Sequence, residues 1–386
     1  MATDFFTNIH PIDFLIVDPD ENSLSEMVSF IQNFNKSVPK IARSGREARE
    51  ILKKQAIKFV IAELEMPYMS GIELLQLIRR QPELFEIPVL LVSREKNDNR
   101  IQNALEERAD GFLLKPFDET TFRDTICAIQ GKKENLSPLQ KNLNKLRKLQ
   151  LMQEYDEAIL LAHKILTGTE DPDAMYTLSK CYFRQKKYDQ AKRYLKKLLE
   201  KKSNCKILHL LGKVCRADHQ CGDALVHLSK ANIQNPLNTD LKIDLGKLNL
   251  SFGMEKEARK IFEDILQGNP TDLNLIKIGK AYFKYGDLEE AGKYLNKTRN
   301  PIPETTFIFE AYAEKLAEKG RYEESLKQFE KCLQIIPGHT AFLFSLSRMH
   351  IHLNNLDKAR EILQSILKMQ PGNNKAQNIL AAMSEH

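Results

Sequence analysis

Small side chains recur every 33 or 34 residues through the last two thirds of this 386-residue chain. The recurring positions are Ala158, Ala191, Ala224, Ala258, Ala291, Ser325 and Ala359. From the second position onward, another small residue stands twelve places earlier and a leucine or phenylalanine stands four places later. The pattern predicts two helices per repeat that approach closely at the small residues, with the large side chain filling the space between them. Because one helix pair cannot bury its own apolar face, the repeats must stack on one another.

This period resembles that of the tetratricopeptide repeat (TPR) family, as do the small-residue positions and the prolines that follow the later markers by twelve places. The resemblance implies an all-α superhelical solenoid of about seven repeats over residues 139–373, closed by a capping helix over residues 374–386. It also implies a domain that binds protein segments in a concave groove lined by the first helix of each pair. Ser137 and Pro138 suit the start of that solenoid, because serine caps helices and proline favours their first position.

Basic residues occupy the position eleven places before nearly every marker, on a face that the TPR geometry turns toward the groove. Six of the seven positions are basic, namely Arg147, Lys180, Lys213, Lys247, Lys280 and Arg348, and the seventh is Glu314. We interpret them as a basic ladder for an acidic partner segment, to which Phe183, Leu250 and Phe283 would add apolar contacts. The alternative is an ordinary solvated face in a lysine-rich domain.

Residues 1–130 follow a different pattern, in which apolar runs of strand length alternate with helical patterns. The runs are Ile12–Val17, Val38–Ala42, Phe59–Glu63, Ile87–Val92 and Gly111–Pro116. The helical patterns lie at about Ser23–Phe34, Gly45–Lys54, Gly71 onward, Asn99–Glu107 and Glu119–Ile129. This alternation predicts an α/β domain with a five-stranded parallel sheet covered by helices on both faces.

Polar side chains stand where four of these strands end, at Asp18, Glu63, Ser93 and Lys115. The carboxyl ends of parallel strands meet at one edge of the sheet, which is where sites form in open α/β folds. We call this edge, with Asp18, Glu63, Ser93 and Lys115, the mouth of the sheet. Its carboxylates, hydroxyl and ammonium are the groups that acyl-phosphate chemistry uses.

The same stretches resemble the receiver domain of bacterial two-component response regulators, the CheY-like fold. The matching segments are Phe14-Leu-Ile-Val-Asp18, Met66-Pro-Tyr-Met-Ser-Gly71 and Ala109-Asp-Gly-Phe-Leu-Leu-Lys115-Pro116. The resemblance implies that Glu63 stands where the family phosphorylates an aspartate. It also implies that Ser93 and Lys115 are the family's hydroxyl and lysine, and that Phe112 is its aromatic switch residue.

The departures from the family pattern predict a pseudo-receiver. Glutamate replaces the phosphoacceptor aspartate at position 63, and Pro19 stands between Asp18 and Asp20, where the family has two consecutive acids. Arg94 follows the hydroxyl, where the family prefers a small residue. Glu63 extends its carboxylate by about one C–C bond, roughly 1.5 Å, a misplacement to which in-line phosphoryl transfer is sensitive. A regulator that is still phosphorylated remains the alternative. We expect no cofactor, and Mg²⁺ is the one that the alternative would require.

The charge distribution bears on partners. Residues 1–130 carry a net charge of −5 and residues 131–386 a net charge of +11. This asymmetry predicts different partners for the two parts, or docking of one part on the other. We expect no nucleic-acid partner, because no aromatic-interleaved basic motif, helix-turn-helix signature or zinc finger is present.

The two resemblances together imply a non-enzymatic signalling adaptor, and the remaining features predict that it is cytoplasmic. No apolar run reaches the ~18 residues of a membrane span, and no Cys-x-x-Cys pair occurs among the six cysteines, so we expect reduced thiols and no metal. Residues 131–138 form the expected linker. The family resemblance adds two-component or cyclic-di-GMP signalling proteins as expected partners, and a homodimer formed through the receiver.

Overall fold

The computed structural model describes residues 12–35, 37–95, 98–201, 203–268, 270–299 and 301–383. The chain forms two compact units, of which the first ends at Thr271 and the second begins at Asp272. The first unit holds the α/β domain together with the first helix pairs, and the second holds the remaining helices.

A five-stranded sheet forms the centre of the α/β domain. Its strands are β1 (Phe14–Val17), β2 (Lys40–Ala42), β3 (Phe59–Glu63), β4 (Val89–Ser93) and β5 (Gly111–Leu114), in the order β2-β1-β3-β4-β5. Every neighbouring pair is parallel. All side chains of β1, β3 and β4 are buried, as expected for parallel strands that are covered on both faces. The predicted α/β class is therefore confirmed.

Five helices cover the sheet. They are α1 (Glu21–Asn35), α2 (Gly45–Lys54), α3 (Gly71–Arg80), α4 (Asp98–Glu106) and α5 (Glu119–Glu134). One core cluster packs β1, β3 and β4 against α1 and α5. The connection to the solenoid is shorter than the expected 131–138 linker, because 131–134 form the last turn of α5 and only 135–137 separate it from the next helix.

Four helix pairs complete the first unit. They are α6 (Pro138–Leu151) with α7 (Tyr155–Gly168), α8 (Pro172–Arg184) with α9 (Tyr188–Lys201), α10 (Cys205–Ala217) with α11 (Cys221–Gln234), and α12 (Thr239–Ser251) with α13 (Glu255–Gly268). Ser137 caps α6 through a reciprocal capping box with Gln140. The predicted all-α solenoid is confirmed in this unit.

The second unit contains three further pairs and a last helix. The pairs are α14 (Asp272–Lys284) with α15 (Leu288–Leu295), α16 (Thr306–Glu318) with α17 (Tyr322–Ile335), and α18 (Thr340–His352) with α19 (Leu356–Met369). A 3-10 turn at Pro303–Thr305 precedes α16, and α20 (Asn374–Ala382) packs against the end of the last pair.

The small and large residues of the repeat interlock as their spacing predicts. A Cβ atom added at Gly246 would lie 2.3 Å from the ring of Phe262, and one at Gly212 would lie 2.7 Å from Leu228. Contacts this short mean that the large side chain of the second helix occupies the space that glycine leaves on the first. The sixteen-residue offset between the two residues thus fixes how the helices of a pair cross.

None of the described helices is long and apolar enough to cross a membrane. All six cysteines are free thiols.

Candidate functional site

The end of β3 is held in place by the start of α3. Gly71 donates its backbone N–H to the carbonyl of Leu64 at 2.9 Å. A Cβ atom at Gly71 would lie 2.4 Å from the carbonyl oxygen of Glu63, so only glycine permits this approach. Ser70 caps α3 through a capping box with Glu73. The Pro-Gly turn recognised in the sequence therefore fixes the backbone that carries Glu63.

Lys115 joins two acids at the mouth of the sheet. Its Nζ donates to Glu63 Oε2 at 2.6 Å and to Asp18 Oδ2 at 2.5 Å. The side chains of Lys115 and Glu63 are 9% and 10% exposed, and that of Asp18 is 1% exposed. The other oxygen of Glu63 accepts backbone N–H groups of Leu64 and Glu65. Three of the four predicted strand-end residues thus meet in one buried ion-pair network.

The other predicted pocket residues lie around this network without joining it. Ser93 is buried, and its hydroxyl accepts the backbone N–H of Glu95 at 3.1 Å rather than binding Glu63. Arg94 pairs with Asp20, and both of these side chains are far more exposed than the network. Phe112 is half-buried on β5, in register with Leu91. Lys115 is therefore the cation that compensates Glu63, and Arg94 compensates Asp20.

Burial raises the pKa of Glu63 above its ordinary value. Two neighbours act on it in opposite directions, because Lys115 stabilises the carboxylate and Asp18 repels it. The balance leaves Glu63 easier to protonate than an exposed glutamate.

The mouth does not fit a Mg²⁺ ion. Mg²⁺ requires several open oxygen ligands at about 2.0–2.1 Å, but Asp18 and Glu63 both turn an oxygen toward the Lys115 ammonium. Pro19 stands where a second acid would follow Asp18, and Asp20 is paired with Arg94. Among the described residues, no cluster of three or more His, Cys, Asp or Glu side chains could hold a metal.

The basic ladder is not uniform within the first unit. Asp244, a buried acid on α12, accepts His209 at 2.9 Å and lies 3.6 Å from Lys213 and 3.9 Å from Lys247. Burial alone would raise the pKa of Asp244, but the hydrogen bond with His209 and the charge of Lys213 outweigh it and hold this pKa far below its usual range. Two ladder lysines thus share a carboxylate of their own domain. The sequence could have indicated this pairing, because Asp244 stands three residues before Lys247 and residues three apart share one face of a helix.

The first two ladder residues are crowded cations. Arg147 lies over the ring of Phe85, 5.6 Å from its centroid, and burial together with Arg108 and Arg79 lowers its pKa to about 9. Burial and the charges of Arg147 and Arg108 lower the pKa of Lys180 to about 7. Within the described residues, Lys180 has no ion pair.

The ladder positions of the second unit are exposed. Lys280 lies over the ring of Phe307 at 4.6 Å, and Arg348 and Glu314 point to solvent. The apolar positions are less accessible than predicted, since Phe283 packs edge-on against Tyr312 and is half-buried. In the first unit Leu250 is also half-buried, and Phe183 packs against the helix core.

The receiver packs against the helix pairs of the first unit, a contact that the residue pattern could not locate. Asn235, 3% exposed, donates to Glu106 at 2.7 Å and to Asn103 at 3.2 Å, both on α4. Arg80 at the end of α3 pairs with Asp240 at 2.6 Å. At the last residue of the first unit, the Thr271 hydroxyl donates to the Glu73 carboxylate at 2.8 Å.

The fold and this set of side chains define a receiver domain joined to TPR repeats. Residues 14–127 match the family model of the response regulator receiver domain. The chain is 30% identical over 115 residues to the chemotaxis protein CheY-3 of Vibrio cholerae, which covers 30% of this chain and 88% of that protein. The chain belongs to the response-regulator receiver family.

Other similarities cover smaller parts. The two-component response regulator ORR3 of Oryza sativa subsp. indica is 42% identical over 74 residues, 19% of this chain. That match spans 56% of the rice protein, little more than half its length. Residues 152–231 match the model of the anaphase-promoting complex, cyclosome, subunit 3, and residues 316–383 match a tetratricopeptide repeat model.

Two solved structures resemble parts of the chain. The chemotaxis response regulator CheY4 of Vibrio cholerae aligns with 31% of this chain and 98% of its own at 25% identity, with a TM-score of 0.29. The C-terminal part of a TPR repeat-containing protein from Cytophaga hutchinsonii aligns with 61% of this chain and 98% of its own at 18% identity, with a TM-score of 0.43. A receiver fused to TPR repeats supports a role in two-component signalling and in protein–protein interaction.

Proposed function

We propose that this protein is a non-enzymatic signalling adaptor whose receiver works without phosphorylation. The observation that carries the proposal is the pair of contacts from Lys115 Nζ, to Glu63 at 2.6 Å and to Asp18 at 2.5 Å. A carboxylate already paired with the lysine of the mouth holds the receiver in one state. The mouth also lacks the ligand set for the metal that phosphoryl transfer requires.

The test is exposure of the full chain to acetyl phosphate and Mg²⁺, followed by intact-mass measurement. We expect no phosphoryl adduct on the wild type. A Pro19→Asp/Glu63→Asp double variant, which restores the family's acid pair and phosphoacceptor, is the positive control. An adduct on the wild type, at Glu63 or at Asp18, would replace this proposal with a phosphorylation-competent regulator.

The proposed partner is a protein with an acidic segment, and the TPR groove is the proposed binding surface. Support comes from the exposed cations Lys280 and Arg348 in the second unit, which are not paired with a described carboxylate. Two-component and cyclic-di-GMP signalling proteins are the proposed classes of partner. A receiver homodimer would have to avoid the α4 residues Asn103 and Glu106, because they contact the solenoid of the same chain.

A labelled acidic peptide tests the groove. We expect Lys280→Gln/Arg348→Gln to weaken its binding and Glu314→Gln, which removes an acid from the same row, to strengthen it. Equal effects of all substitutions would contradict the groove. A steep salt dependence of binding to duplex DNA of any sequence would instead favour a nucleic-acid partner.

A further inference from the structure

A cleft of about 680 Å³ lies where α5, the connecting residues 135–137, α6 and α8 meet. Its wall is formed by the end of the receiver and by the first helices of the solenoid, all within the first compact unit. This volume falls in the range of about 300–1,000 Å³ that small-molecule sites occupy.

The lining carries more positive charge than negative. Four cations, Arg108, Lys132, Lys133 and Arg147, face two carboxylates, Asp110 and Asp173. Both carboxylates are already engaged within the chain. Asp173 pairs with Arg108 at 3.2 Å, and Asp110 is shared by Lys133 at 3.0 Å and Arg79 at 2.6 Å. Among the described residues Lys132 and Arg147 therefore form no ion pair, although Asp173 still attracts Arg147 at longer range.

The surroundings of Arg147 disfavour its positive charge. Burial and the nearby Arg108 and Arg79 lower the pKa of Arg147 to about 9. Burial, Arg147 and Arg108 likewise lower the pKa of Lys180, which stands outside the cleft wall, to about 7. A bound anion would stabilise the charged form of Arg147, because an opposite charge nearby favours ionisation.

The uncharged lining indicates the kind of anion. Asn135, Asn144 and Thr177 supply amide and hydroxyl donors, and no aromatic side chain is among the residues that form the wall. A nucleobase would therefore find no ring on which to stack, whereas phosphate oxygens would find both guanidinium and neutral donors.

We propose that this cleft binds a small anion that carries two or more phosphate groups. Arg147, on the first solenoid helix, is the main anion-binding residue, because it is half-buried and forms no ion pair. Lys132 is the second ligand, from the last turn of α5. Such an anion would bridge the receiver and the solenoid. The proposal is independent of whether Glu63 or any other acid is phosphorylated.

Isothermal titration of the full chain with inorganic tripolyphosphate tests the site. We expect one saturable site, and binding about tenfold or more weaker for Arg147→Gln/Lys132→Gln, as for the loss of charge-assisted hydrogen bonds. Lys256→Gln removes an equally charged, exposed lysine from α13 and is expected to leave binding unchanged.

Two outcomes would overturn the proposal. One is the absence of saturable binding to the wild type. The other is an equal loss in Lys256→Gln, which would mean attraction to the net charge of the chain rather than to the cleft. Lys132 is exposed, so Lys132→Gln should leave the fold intact. If Arg147→Gln unfolds the protein, the affinity of Lys132→Gln alone for tripolyphosphate tests the site.

Discussion

At the scale of single residues, the extra methylene of Glu63 matters because of the neighbours that it reaches. The side chain spans the mouth to Lys115, which also holds Asp18. One ammonium between two carboxylates leaves a network with one excess negative charge in a place that is almost closed to water. Burial therefore outweighs the attraction of the lysine and raises the pKa of Glu63.

This balance predicts opposite responses to two substitutions. Asp18→Asn removes a repelling charge and should lower the pKa of Glu63, whereas Lys115→Met removes the compensating cation and should raise it further. Titration of the Glu63 carboxyl carbon by NMR in selectively labelled protein measures both shifts. A shift of the same sign in both variants would mean that the three groups do not form one network.

The raised pKa of Glu63 also determines how the stability of the fold changes with pH. Because the pKa of Glu63 is raised on folding, this group favours the folded state below the ordinary glutamate pKa. The contribution is lost as the pH rises through the raised value. In Glu63→Gln this loss should be absent, so the melting temperature of the variant relative to wild type should increase from acidic to neutral pH. A difference that stays constant with pH would contradict a raised pKa.

Residue patterns predicted which side chains meet at the mouth but not how they pair. Strand ends fixed the positions of Asp18, Glu63 and Lys115, since parallel strands bring their carboxyl ends to one edge. The partner of Arg94 depended on side-chain rotamers and on the turn at Pro19, which periodicity does not encode. The contacts of Asp244 were missed for a similar reason, because His209 and Lys213 lie on α10 whereas Lys247 lies on α12.

At the scale of elements, the helix pair α12–α13 is built on one glycine and one ring. The Phe262 ring is fully buried, and a Cβ atom at Gly246 would lie 2.3 Å and 2.5 Å from two of its carbons. A larger side chain at position 246 therefore requires the Phe262 ring to move. This interlock was predictable from the sequence because a small residue and a leucine or phenylalanine keep the same spacing from the second repeat onward.

Gly246→Ala should destabilise the pair by about 1–3 kcal/mol, as overpacking of a filled core does. Adding Phe262→Leu should cost less than the sum of the two single changes, because the smaller side chain makes room for the methyl group. Native-state hydrogen exchange of α12 amides measures each variant. The matched control is Gly222→Ala in α11, where an added Cβ meets nothing within 4 Å. Strict additivity would mean that the two residues are not in contact.

At the scale of the whole molecule, the charge difference between the two parts does not explain how the receiver packs. The net charges suggested an acidic receiver on a basic solenoid, but two ion pairs across the contact, Arg80–Asp240 and Arg108–Asp173, have the reverse polarity. The attraction between Glu107 of the receiver and Lys206 of α10 has the expected polarity, so both polarities occur in one contact. Net charge averages over a surface, whereas docking depends on a few desolvated groups. For this reason the sequence allowed docking but could not locate it.

The buried contact of Asn235 is the strongest candidate for holding the receiver on the solenoid. Exposed ion pairs such as Arg80–Asp240 contribute at most about 1 kcal/mol, whereas unsatisfied buried polar groups cost about 1–3 kcal/mol. Asn235→Ala removes the hydrogen bonds that Asn235 donates to Glu106 and to the buried Asn103. We therefore expect hydrogen exchange to rise by about tenfold in receiver residues 103–108, as for the loss of a buried hydrogen bond to a charged group.

Asn33→Ala is the matched control for this experiment. It removes an asparagine donor from Glu119 at 2.9 Å, a contact that lies wholly within the receiver. Exchange in residues 103–108 should not change in that variant. Because Asn235 also accepts the N–H of Leu237 in its own turn, a purely local effect of Asn235→Ala would raise exchange only near residue 237. That result would show that the receiver is held by the rest of the contact and would remove Asn235 from it.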